Sequence, residues 1–132
     1  MSPSVGHIGL AVKDIDKFLE RFCYAFAIPI PKIIDVGNRQ MKIAMLDLEN
    51  IQIEVLEDYS QDGEIATYVK NKGDGIHHFC IISDDIQRNI DALSGLGFQL
   101  KNCIAKQGLR GKKISFISPE EFGGINVELS EP

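Results

Sequence analysis

The chain repeats itself, and that repeat constrains its fold more than any other feature. His7-Ile8-Gly9-Leu10-Ala11-Val12-Lys13-Asp14-Ile15 is matched by His78-Phe79-Cys80-Ile81-Ile82-Ser83-Asp84-Asp85-Ile86. Adding 71 to His7 gives His78, and the same offset carries Asp14-Ile15 onto Asp85-Ile86. Further on, Ile53-Glu54-Val55-Leu56-Glu57 is matched by Val127-Glu128-Leu129-Ser130-Glu131 at an offset of 74, so a three-residue insertion in a hairpin separates the two registers. Two copies of one supersecondary unit, each too small to bury its own apolar face, gain a core by folding together.

Periodicity gives each copy the same plan. Residues 5–12 alternate, with Ile8, Leu10 and Val12 on one side and His7, Gly9 and Ala11 on the other, as in a half-buried strand. A helix follows, capped by Asp14 or Asp16 and carrying Ile15, Phe18, Leu19, Phe22 and Cys23 on one stripe, and Pro29 and Pro31 stop it. Gln40–Asp47 and Asn50–Leu56 read as strands joined by a short turn. After a polar stretch, a short helix runs through Ile65, Tyr68 and Val69. The plan then restarts with a strand at His78–Ser83 and a helix at Asp85–Leu96, which Gly97 closes. Strands follow near Gln99–Ile104, Lys113–Ile117 and Ile125–Leu129. The expectation is a single α+β domain over residues 1–132, with repeat modules 5–57 and 76–131.

The length of 132 residues suits one domain with a real core. The longest apolar runs fall far short of a membrane span, and the N-terminus lacks the pattern of a secretory signal, so a cytoplasmic protein with no membrane partner is expected. Cys23, Cys80 and Cys103 form no CxxC pattern and read as buried thiols of a reducing compartment. A net charge of −5 argues against a general nucleic-acid binder. Locally the balance reverses. Lys101, Lys106, Arg110, Lys112 and Lys113 lie in a segment without an acid, either as a solvated loop or as an anion site for a phosphorylated ligand.

The chemistry lies in the repeat-equivalent polar residues. In each copy the first strand carries a histidine and the last a glutamate, both on the face opposite the aliphatic one. If last and first strands are neighbours, each copy presents one nitrogen and one oxygen ligand side by side. His7, Glu54, His78 and Glu128 together suit a borderline divalent ion such as Co²⁺, Ni²⁺, Mn²⁺, Fe²⁺ or Zn²⁺, with two open positions in an octahedron. One such residue alone is ordinary on a polar strand face; four at equivalent places point to a metal. His77 points away from His78 and reads as structural.

These stretches, with Gly75-Ile76-His77-His78-Phe79 and the run from Gly111-Lys112-Lys113-Ile114-Ser115-Phe116 through Pro119 to Gly123-Gly124-Ile125-Asn126-Val127-Glu128-Leu129, resemble the vicinal oxygen chelate (glyoxalase/bleomycin-resistance) superfamily, and within it the methylmalonyl-CoA epimerases. The resemblance spans nearly the whole chain. It implies two βαβββ modules forming an open, U-shaped, eight-stranded mixed sheet around a metal site, and a dimer. It also implies epimerisation of methylmalonyl-CoA or a similar 2-substituted acyl-CoA thioester by loss of the C2 proton through a metal-stabilised enolate, with Glu128 as both ligand and base. Where some epimerases place a second glutamate this chain has Ile43, which leaves the second proton carrier unassigned. Ser118-Pro119-Glu120 also stands where the family often has His-Pro-Lys.

Two other functions fit the same superfamily. A glyoxalase I-like lyase would isomerise a hemithioacetal of glutathione or another thiol with the same four ligands, and would want an arginine for the thiol's carboxylate; Arg21, Arg39, Arg88 and Arg110 are the arginines available. A non-catalytic binding module would typically lack the metal set. A redox dioxygenase would more usually have a two-histidine-one-carboxylate site and a longer chain.

Overall fold

The computed structural model describes residues 3–132. Among the described residues the fold is α+β, with eight strands in one mixed sheet and three α-helices. In chain order these are β1 (Val5–Ala11), α1 (Ile15–Phe26), β2 (Ile34–Val36), β3 (Met41–Asp47), β4 (Gln52–Asp58), α2 (Glu64–Lys72), β5 (Gly75–Ile82), α3 (Ile86–Gly95), β6 (Lys106–Gln107), β7 (Lys113–Ile117) and β8 (Asn126–Ser130). The strand order is β2-β3-β4-β1-β5-β8-β7-β6. Each repeat therefore has the expected strand–helix–three-strand plan, with its last strand beside its first. By contacts the chain divides within β1: Ile8–His77 make one compact unit, and the chain up to His7 joins His78–Pro132 in the other.

In the N-terminal unit β2, β3 and β4 form an antiparallel run, with Ala44 opposite Val55 and Leu46 opposite Ile53. Helix α1 begins where the sequence indicates. The Asp14 carboxylate accepts the Lys17 N–H at 3.1 Å, and Glu57 accepts the Ile15 N–H at 2.9 Å. The apolar stripe Ile15, Leu19 and Cys23 then packs against Val12, Ala44, Leu46 and Val55. The helix ends earlier than the prolines demand. Ala27 takes the left-handed conformation (φ 53°), and the Ile28 N–H reaches the Cys23 carbonyl at 2.9 Å. Strand β2 was not apparent in the sequence: a three-residue edge with Ile34 and Asp35 exposed offers no alternation to read.

In the C-terminal unit β5 runs parallel to β8, and β8, β7 and β6 are antiparallel. Asp85 caps α3 by accepting the Arg88 N–H at 3.3 Å, and Gly97 (φ 91°) turns the chain out of the helix as expected. Ile86 and Ile90 pack on Leu129, with Ile81, Leu93, Leu100 and Ala105 around them. The β7–β8 connection takes eight residues, Ser118 to Ile125, against four, Leu48 to Ile51, between β3 and β4. The lengthened hairpin inferred from the shift in offset lies here.

Two expectations fail in the second unit. Gln99–Ile104 is not a strand: only Leu100 makes a bridge, to Ile117, and the strand that forms is β6 at Lys106–Gln107. The chain leaves the ladder because side chains take over its backbone groups. Gln87 of α3 donates to the Cys103 carbonyl at 3.0 Å and accepts the Ala105 N–H at 3.1 Å, while the Ser115 hydroxyl donates to the Asn102 carbonyl at 2.9 Å. Ile104 is 76% exposed as a result, and Cys103 is exposed rather than buried like Cys23 and Cys80.

Candidate metal centre

Side chains on successive strands of the C-terminal unit converge through simple strand arithmetic. In β5, His78, Cys80 and Ile82 share a face, while Phe79 and Ile81 share the other. The parallel register sets Cys80 beside Glu128 and His78 beside Asn126, and antiparallel β7 sets Phe116 beside Glu128. Ile81 and Leu129 face the α3 core, so His78, Cys80, Glu128 and Phe116 occupy the opposite face. The first residues of β1 bring His7 to the same place.

The resulting cluster is tight and dry. His7 and His78 meet Nε2 to Nε2 at 3.2 Å with rings nearly perpendicular, and the same His7 nitrogen lies 3.2 Å from Glu128 Oε1. Phe116 packs edge-on against His78 at 5.5 Å. His7, His78 and Glu128 are 3%, 4% and 5% exposed. Isolated polar groups that deep would be costly, but among the described residues no buried side-chain nitrogen or oxygen lacks a partner.

The donor set fits a divalent ion. Two atoms each about 2.1 Å from one ion, at roughly 90–110° to each other, stand about 3.0–3.4 Å apart, which is the separation of these nitrogens and this oxygen. Imidazole nitrogen with carboxylate oxygen suits the first-row ions named above. Ligand-bearing atoms of His7, Cys80 and Glu128 also lie within 4.8 Å of one another. Cys80 was read as no more than a buried thiol; its position two residues after His78 on a strand was the signal that it shares the histidine's face.

Three of the four anticipated ligands are thus together in one unit. Glu54 belongs to the other, on β4, where it is 6% exposed and sits opposite Met45. Its face of the β3–β4 ladder also carries Met41, Ile43 and Leu56. Ile43 is 2% exposed, so this apolar side chain fills the place where a second glutamate was sought. His77 behaves as expected of a structural residue: it is buried, edge-on to Tyr68 at 5.0 Å, with Glu64 at 3.8 Å.

Arg110 is the residue whose place the sequence did not reveal. Its Nη2 donates to His7 Nδ1 at 3.1 Å, across the imidazole from the nitrogen that faces His78 and Glu128. A guanidinium can only donate, so Nδ1 is the acceptor and the proton of a neutral ring belongs on Nε2, facing the carboxylate. An ion bound there would take that proton's place. The run of cations from Lys101 to Lys113 was the available signal, but nothing in its spacing singles out Arg110.

Comparison with known proteins supplies the family. Residues 6–116 match the model of the Glyoxalase/Bleomycin resistance protein/Dioxygenase superfamily. The chain belongs to that superfamily. It is 32% identical over 129 residues to "Uncharacterized protein YqjC" of Bacillus subtilis (strain 168), covering 96% of this chain and 90% of that protein. It is 28% identical over 129 residues to the "Ethylmalonyl-CoA/methylmalonyl-CoA epimerase" of Cereibacter sphaeroides, covering 96% of each. Among solved structures, methylmalonyl-CoA epimerase from Mycobacterium tuberculosis superposes with a TM-score of 0.87 at 25% identity, covering 97% of this chain and 87% of that one. Homologues and structural neighbours thus include methylmalonyl-CoA epimerases. Among the described residues no helix is long and apolar enough to cross a membrane.

Proposed function

We propose that the protein is an isomerase that epimerises C2 of methylmalonyl-CoA or a similar 2-substituted acyl-CoA thioester. The observation that carries this reading is the buried convergence of His7, His78 and Glu128, in a chain whose relatives include epimerases of that substrate. His7, His78 and Glu128 would hold a divalent ion, with Glu54 proposed as the fourth ligand because it is the repeat counterpart of Glu128. Bound there, the ion supplies a Lewis acid that makes the proton between thioester and carboxylate more acidic.

The chain's own residues do the rest. Glu128 is the proposed base, its buried oxygen placed among groups that exclude water. Phe116 holds the His78 ring in place through its edge-on contact. The proton returns to the other face of C2 from a carrier other than residue 43, because Ile43 offers no exchangeable proton. In this reading residues 1–132 act as one functional domain of two modules, 5–57 and 76–131, and a homodimer is proposed with it.

One observation favours a second reading. A glyoxalase I-like lyase wants an arginine for a thiol's carboxylate, and Arg110 lies against His7. Solvent deuterium exchange separates the two. With Co²⁺ supplied, incorporation of deuterium at C2 of methylmalonyl-CoA is expected. No exchange there, together with turnover of a methylglyoxal–thiol adduct, would make the protein a lyase.

A further inference from the structure

We infer that Arg110 is a positioning residue that opposes metal loading, because its hydrogen bond to His7 and ligation of an ion by His7 exclude each other. The inference rests on the metal reading of the site and adds what must change at His7 when an ion binds.

The His7 ring is held from both sides. Nε2 lies 3.2 Å from His78 Nε2 and 3.2 Å from Glu128 Oε1, and Arg110 Nη2 lies 3.1 Å from Nδ1. Both nitrogens have partners, so the ring has one orientation. Arg110 reaches it from a built turn. Between β6 and β7 the Gly108 N–H bonds to the Lys112 carbonyl at 2.8 Å and the Gly111 N–H to the Gly108 carbonyl at 3.1 Å, and the Gln107 amide holds the Gly111 carbonyl at 3.3 Å. Gly111 adopts φ 82°, a conformation that a side chain would strain. Gly108 packs so closely under Ile114 that an added methyl would meet three of its carbons at 3.1–3.3 Å. The two glycines thus shape the hairpin whose tip brings Arg110 to the outer edge of the ring.

A neutral imidazole carries one proton. While Arg110 donates to Nδ1, that proton is on Nε2, the nitrogen that faces the other ligands. An ion on Nε2 takes the lone pair there, so the ring gives up the Nε2 proton and carries one on Nδ1 instead. Nδ1–H and the guanidinium are then two donors facing each other with no acceptor between them. Keeping the bond would require a ring stripped of both protons, an anion that imidazole does not readily form near neutral pH. Arg110 therefore leaves His7 when the ion enters. Histidine ligands ordinarily point their outer N–H at a carboxylate, a carbonyl or water, and so are steadied in the bound state. Here the outer partner can only donate, and it steadies the ring without an ion. The hairpin thus sets a threshold for metal loading, and loading frees the hairpin tip.

The first test titrates Co²⁺ by calorimetry into metal-stripped wild type, Arg110→Met and Arg110→Gln. Arg110 is half-buried, so removing its bond from the ion-free ring should tighten Co²⁺ by about tenfold in Arg110→Met, the lower end for a hydrogen bond with one charged partner. Arg110→Gln, whose amide oxygen accepts from Nδ1–H, should bind at least as tightly as Arg110→Met. Unchanged or weaker binding in Arg110→Met overturns the inference, as does weaker binding in Arg110→Gln than in Arg110→Met. The second test reads the proton itself, which a simple repulsion between Arg110 and the ion would not move. It follows the ¹⁵N resonances of His7 in wild type, assigned by their loss in His7→Gln, before and after addition of Zn²⁺. The proton should stand on Nε2 before and on Nδ1 after. A Nδ1 that stays unprotonated in the Zn²⁺-loaded protein overturns the inference, whatever the affinities. If wild type binds neither ion, the metal reading falls and this inference falls with it.

Discussion

The two units share one plan but use it differently. In the N-terminal unit the helix, the ladder β2-β3-β4 and their core are regular, and the polar face carries the single anticipated ligand Glu54 among Met41, Ile43, Met45 and Leu56. In the C-terminal unit the pairing is mixed, β6 is two residues long, the β7–β8 link is extended and the 99–105 segment is pinned by side chains. That less regular unit gathers His7, His78, Cys80, Glu128 and Arg110. The equivalent glutamates Glu57 and Glu131 have also parted: Glu57 caps α1, whereas Glu131 accepts the Lys113 N–H at 2.8 Å and steadies β7. The shared plan supplies a frame twice, and the candidate ligands other than Glu54 gather in the less regular unit.

The sharpest way to break this comparison is to remove ligands from each unit. Glu128→Ala should lower turnover by roughly 10²–10⁴-fold, the range for loss of a proton-transfer group, and His78→Ala should lower it by emptying the metal site. Glu54→Ala should weaken metal loading as Glu128→Ala does, yet cost less turnover once metal is saturating, because Glu128 alone is proposed to handle the proton as well. Equal residual turnover in the two glutamate variants at saturating metal would erase the proposed difference in role.

The cores should be more alike than the sites. Leu19→Ala and Ile90→Ala each empty a fully buried position and should each cost about 2–5 kcal/mol in denaturant unfolding. The helix ends should behave oppositely. Gly97→Ala places a side chain at φ 91° and should destabilise by about 1–2 kcal/mol, whereas Ala27→Gly relieves the left-handed Ala27 and should stabilise by up to about 1 kcal/mol. Thermal melts of the two variants would measure both signs.

The smallest effect concerns a surface contact of the N-terminal unit. The Tyr59 hydroxyl donates to Asp35 at 2.8 Å, and this bond to a carboxylate, with lesser help from desolvation and from the negative charge of Asp35, raises its pKa above the usual 10.0. The folded hydroxyl keeps its proton to higher pH than the unfolded one. Its contribution is therefore whole below pH 10.0 and declines as the pH rises through the raised value. Tyr59→Phe should flatten the alkaline side of the stability profile slightly, as melts between pH 9 and 11 would register.

What the sequence made legible follows from which forces are local. Strand alternation, the cap at Asp14 (one of the two candidates, with Asp16) and the stop at Gly97 depend on neighbours in the chain, and they came out as read. So did the placing of His7, His78 and Glu128, because the repeat carries tertiary information in local form. β2, the break at Gln99–Ile104 and the exposure of Cys103 were not legible, because edge pairing and the hydrogen bonds of Gln87 depend on partners far along the chain. Arg110 was hidden for the same reason: its place is set by the shape of a glycine turn and by a histidine 103 residues away.

The most direct test of the central claim is titration of Co²⁺ into metal-stripped protein, followed by calorimetry and the visible spectrum of the bound ion. The account predicts one high-affinity site per chain with a nitrogen–oxygen ligand spectrum, lost in both His78→Ala and Glu128→Ala while the fold persists. Failure of wild type to bind the ion, or binding that survives both substitutions, would contradict it.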